Sequence, residues 1–112
     1  MPALHSRGSY WHHALEANTY GNLGLIYQTR GELDRAEEMH KMSLAINENL
    51  GRQEGMATTY TNLGLVAEDR GDVDRARELW TKARDLYAKI GIPHEVNDVQ
   101  GWLDGLPGPV AK

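Results

Sequence analysis

Residues Ala17-Asn18-Thr19-Tyr20-Gly21-Asn22-Leu23-Gly24-Leu25 return forty positions later as Ala57-Thr58-Thr59-Tyr60-Thr61-Asn62-Leu63-Gly64-Leu65. The correspondence continues through Arg30-Gly31-Glu32-Leu33-Asp34-Arg35-Ala36 and Arg70-Gly71-Asp72-Val73-Asp74-Arg75-Ala76, and it closes on Gly51 and Gly91. From 17 to 51, 14 of the 35 positions are identical in the two copies, so the chain carries a duplicated unit. A unit this short cannot enclose a core by itself and has to bury one flank against its neighbour.

Each unit reads as two helices. At about 100° per residue, Tyr20, Leu23, Gly24 and Tyr27 share one narrow stripe, with Asn18, Asn22, Leu25 and Thr29 opposite. Gly31 and Gly71 end these first helices by supplying a left-handed residue, and the acidic residue that follows suits the next helix's positive N-terminus. The second helix carries Leu33, Ala36, Met39, His40, Ser43, Ile46 and Leu50 at helical spacing, and its copy carries Val73, Ala76, Leu79, Trp80, Ala83, Leu86, Tyr87 and Ile90. Small residues recur where the two helices must approach closely (Gly24 and Ala36, Gly64 and Ala76), which predicts an antiparallel hairpin in each unit.

Composition excludes several functions. Lys plus Arg is 12 against 16 Asp plus Glu, a net charge of −4, whereas a nucleic-acid partner calls for a basic face. The longest apolar stretch is a few residues around Leu23–Tyr27, too short to span a membrane. No cysteine means no disulfide, thiol nucleophile or thiolate-bound zinc, which fits a reducing cytoplasm.

Tyr20-x-x-Leu23-Gly24-x-x-Tyr27, followed by Gly31, Ala36 and Ile46, resembles the tetratricopeptide repeat. The 40-residue period is similar to the long-helix subclass of kinesin light chain, Pins-type adaptors and bacterial relatives. The resemblance implies an all-α fold, an α-α superhelix of two helical hairpins plus a C-terminal capping helix. It covers residues of about 13 to 104. Repeat 1 then takes about 12–51, repeat 2 about 52–91, and the cap about 93–104, with Pro93 as its first residue and Val96, Val99, Leu103 and Leu106 as its apolar stripe. An irregular arm is expected over 1–9 and a flexible tail over 105–112.

In such a stack the first helix of each unit lines the concave side. The candidate peptide-binding residues are therefore Asn18, Asn22, Leu25 and Thr29, then Thr58, Asn62, Leu65 and Asp69, with Asp98 and Trp102 from the cap. Each Asn offers a donor and an acceptor to an extended main chain, and the resemblance places Asn22 and Asn62 where related repeats grip peptide. The clamp that related repeats use for chaperone C-terminal carboxylates is disfavoured, since Gly21 and Asp98 stand where cations are needed. Glu68, Asp69 and Asp98 give the expected groove an acidic lean, suited to a neutral or basic peptide.

No catalytic motif, phosphate loop or metal constellation is legible, so neither an enzyme nor a cofactor is expected. His12 and Glu16 are four apart, but two ligands on one helical turn are no metal site. His40 aligns with Trp80 and reads as a packed ring. Arg35 and Arg75 read as surface partners of Glu32 and Asp72. Two full units are fewer than the three usually needed, and Tyr10, Trp11, Leu15 and Ile26 have no preceding helix to cover them. A second function is therefore self-association as a homodimer through these residues or Trp102. A piece of a longer array is a further alternative.

Overall fold

The computed structural model describes the backbone of residues 2–108 and the side chains of 10–108. The elements are α1 (Pro2–Thr29), α2 (Leu33–Leu50), α3 (Gln53–Asp69), α4 (Val73–Ile90) and α5 (Pro93–Gly105). Helix α1 pairs with α2 and α3 with α4 as hairpins, α3 lies back on α2, and α5 lies on α4. The described residues thus form an all-α stack of two hairpins and a closing helix.

Four glycines make the four turns. Gly31, Gly51, Gly71 and Gly91 have φ of 78°, 68°, 82° and 79°, where a Cβ would be strained. Each is followed by a residue whose N–H reaches back to the helix: Glu32 to the Tyr27 carbonyl at 2.8 Å, Arg52 to Asn47 at 2.9 Å, Asp72 to Ala67 at 2.9 Å and Ile92 to Tyr87 at 3.0 Å. This paired closure satisfies carbonyls that would otherwise be orphaned. Asp72 also caps α4 by accepting from the Arg75 N–H at 3.1 Å. The Arg75 guanidinium therefore pairs with Glu78 at 2.6 Å, not with Asp72 as expected, while Arg35 does meet Glu32 at 3.4 Å.

The boundaries differ from expectation at both ends. Residues 1–9 are not an irregular arm: α1 runs from Pro2, with Met1 outside the described residues. Proline costs nothing at a helix start, where its missing N–H has no intrahelical partner, and Gly8 costs about 1 kcal/mol in a helix interior. At the other end Leu106 packs against the core and the Pro107 carbonyl accepts from Arg77, so the stretch expected as a flexible tail begins docked. Residues 109–112 lie outside the described part.

The two junctions of the stack are built from different chemistry. The apolar core gathers Leu63, Leu79, Trp80, Tyr87 and Val99 with small alanines, all in the second unit and the cap. Trp80 lies against Gly64, whose missing side chain makes room for the indole, and its Nε1 donates to the Thr61 carbonyl at 3.0 Å. Among the described residues the four buried polar side chains are His40, Ser43, Asn47 and Thr59, all on α2 and α3. Forty positions on, these become Trp80, Ala83, Tyr87 and Val99, each also buried. A polar seam therefore occupies the register of an apolar one.

Candidate functional site

The polar seam opens into a groove of about 750 Å³ between α1 and α3. Asn18, Asn22 and Leu25 line it from α1, and Thr58 and Asn62 line it from α3. These five come from the residues that the sequence singles out for peptide contact. The side chains of Asn22 and Asn62 make no hydrogen bond within the described residues; Asn22 is exposed and Asn62 half-buried. Their donors and acceptors are thus available to a ligand.

The other five candidates lie outside the groove lining. Thr29 turns its hydroxyl back to the Leu25 carbonyl at 2.9 Å. Leu65 packs against the core, and Asp69 accepts from Gln28 Nε2 at 3.2 Å. Asp98 approaches His94 at 3.4 Å. Trp102 sets its ring 5.6 Å from that of Trp80 and keeps 43% of its surface exposed. The second unit is filled where the first is open: Tyr87 of α4 and Thr58 of α3 share a hydrogen bond of 2.9 Å, and Val99 of α5 packs into the same apolar core. With that space occupied, the groove does not extend to the cap.

Sequence reasoning missed the floor. Ser43 Oγ donates to the Ala17 carbonyl at 2.9 Å, and Asn47 Nδ2 reaches Ser43 Oγ at 3.4 Å. Arg52 Nη1 donates to Asn47 Oδ1 at 3.0 Å and to the Ala14 carbonyl at 3.5 Å, tying three helices together. A Cβ on Gly55 would stand 2.5 Å from Asn47 Oδ1, so only glycine lets α3 close over that amide. The signal was present in the register: Ser43 and Asn47 stand where the second unit has Ala83 and Tyr87. The expected acidic lean is also revised, because Glu68, Asp69 and Asp98 do not line the groove, whereas Arg52 and Glu54 do.

His40 is wholly buried against Gly24, neither ring nitrogen has a hydrogen-bond partner among the described residues, and burial lowers its pKa from 6.5 to about 4. It is the packed ring that its alignment with Trp80 implies. Near the N-terminus it is His13, not His12, that meets Glu16, at 2.9 Å, because the ring and the carboxylate lie three residues apart on one face. His94, Glu95 and Asp98 lie close together on exposed α5. Between units, Arg70 bridges to Asp34 at 2.6 Å and Glu37 at 3.0 Å, and these contacts raise its pKa.

The residues expected to self-associate are exposed: Tyr10 by 38%, Trp11 by 64%, Leu15 by 64% and Ile26 by 51%. Ile26 holds the register of Val66, which is buried on α3 between α2 and α4. Among the described residues no helix is long and apolar enough to cross a membrane.

Stacked helical hairpins whose first helices frame a polar groove define a helical-repeat scaffold, a class that presents surfaces to partners. Residues 17–50 and 56–90 match the family described as tetratricopeptide repeat, and the chain belongs to that family. It is accordingly a protein-interaction module, built on a repeat that is a non-catalytic scaffold. No curated protein matches it in sequence. Among solved structures it is similar to "Crystal structure of BtubC (BKLC) from P. vanneervenii", with a TM-score of 0.57 and 19% identity. The likeness covers 86% of this chain and 51% of that one, so this chain spans about half the length of that protein. At this identity the likeness shows the fold alone.

Proposed function

We propose that the chain is a non-catalytic module that binds an extended peptide in the groove between α1 and α3. The observation that carries this reading is the pair Asn22 and Asn62, one repeat apart on facing walls and free of side-chain hydrogen bonds among the described residues. Each offers a bidentate amide to a peptide main chain whatever side chains that peptide bears. Two hydrogen bonds lost per amide are worth roughly 1–3 kcal/mol. The double variant Asn22→Ala, Asn62→Ala should therefore weaken peptide binding about 30-fold or more. Fluorescence polarisation with a labelled decapeptide library checks this, alongside circular dichroism to show that helicity is unchanged. Wild-type affinity retained by the double variant would remove the reading.

The exposed Trp11, Leu15 and Ile26 favour a second role, homodimerisation through the uncovered flank of α1. Light scattering at micromolar concentration should then give twice the monomer mass, reverting toward the monomer in Trp11→Ala. A monomeric wild type would refute it. At about 100° per residue Trp11 and Leu15 fall on the face of α1 that carries Asn18 and Asn22, so the two roles would use adjoining surfaces. The 40-residue period and helices of 17 and 18 residues support membership of the long-helix subclass that includes kinesin light chain. A cytoplasmic setting and a place within a longer array belong to the same proposal.

A further inference from the structure

The arginines of this protein are almost all spoken for. Arg30, Arg35, Arg70, Arg75, Arg77 and Arg84 each approach a carboxylate, at 3.1, 3.4, 2.6, 2.6, 3.3 and 3.0 Å. Among the described arginines Arg52 alone has no acidic partner, although all 16 Asp and Glu side chains lie between residues 16 and 104. Its guanidinium uses one nitrogen, Nη1, to hold Asn47 and Ala14, and the half-buried side chain lines the groove. Bonded only to neutral oxygens, this half-buried guanidinium keeps N–H groups for which a carboxylate is the strongest partner. The second unit has Ile92 at this position, and there the junction is filled with apolar side chains.

We propose that Arg52 is a carboxylate-binding subsite of the groove, so that the bound peptide is an acidic one. The inference rests on the peptide-groove reading above and adds the chemistry of the ligand. The cation comes from the turn between units, not from the clamp positions on the first helices. A planar guanidinium with free N–H groups matches a carboxylate in two-point geometry, and the surrounding amides of Asn18, Asn22 and Gln53 are donors that tolerate an anion. Glu54, exposed on the same lining, opposes such a ligand and limits its affinity.

The test uses fluorescein-labelled decapeptides of Gly, Ser and Ala in which Glu, Gln or Lys is scanned through each position, each made with a free or an amidated C-terminus. With the wild-type chain, one Glu position should bind about tenfold or more tightly than its Gln counterpart. Arg52→Gln should abolish that ratio, and Glu54→Gln should increase it severalfold. If amidation weakens Glu and Gln peptides alike, the carboxylate is the C-terminal one; if the Glu preference persists after amidation, a side chain supplies it. Equal binding of Glu and Gln peptides that amidation leaves unchanged, or a carboxylate preference that survives Arg52→Gln, overturns the subsite and leaves the groove standing. If no peptide binds, the groove reading fails and the subsite with it. Should Arg52→Gln unfold, the Glu54→Gln variant decides alone, since an unchanged ratio there overturns the proposal.

Discussion

Acidifying the protein from about pH 7 to about pH 4 should cost its fold roughly 3 kcal/mol through one side chain, His40. Burial holds its folded pKa at about 4, against 6.5 when exposed. Between those values the unfolded chain binds a proton that the folded one refuses. Stability is therefore full above about pH 6.5 and declines as the pH falls toward 4. No hydrogen-bond partner within the described residues stands ready to receive the charged ring, and a side chain added at Gly24 would meet it at 2.5 Å, so the ring has little room to escape. Urea unfolding across this range checks the effect, with His40→Leu as the control that cannot titrate. Parallel pH profiles for wild type and variant would show that His40 is not the group responsible.

Trp80→Ala should be at least as damaging, removing about 3–5 kcal/mol of the 5–15 kcal/mol typical of a domain. The indole is 1% exposed, fills the space that Gly64 leaves, bonds the Thr61 carbonyl and supports Trp102. Its truncation opens a cavity at the centre of the apolar core and removes the indole's hydrogen bond to the Thr61 carbonyl. His40→Ala removes a smaller ring that makes no hydrogen bond, so its cost should be lower. Thermal melts of the two variants give the comparison directly. The same asymmetry predicts slower amide exchange in α3 and α4 than in α1 and α2; equal protection would contradict it.

The forty-residue period was enough to read the hairpins, because apolar residues at helical spacing and a glycine at each turn leave a chain few other ways to hide its flanks. The Gly24–His40 and Gly64–Trp80 pairs illustrate this, since small meets large at one register in both units. The helical state of residues 2–9 was not legible: Pro2 and Gly8 argue for irregular chain, yet neither forbids helix where it stands. The amides of the groove were legible as an exposed stripe on α1 and α3. Its length was not, since that depended on whether each junction is filled.

By itself the sequence determined the all-α class, the turns and the faces, because these follow from local periodicity and backbone preference. Only the tertiary structure decided which flank is filled and which is open. Ser43, Asn47 and Arg52 come from α2 and the turn after it, and nothing in their local spacing says that they meet beneath Asn22 and Asn62. That meeting depends on how three helices divide a volume, and a one-dimensional pattern carries no measure of volume.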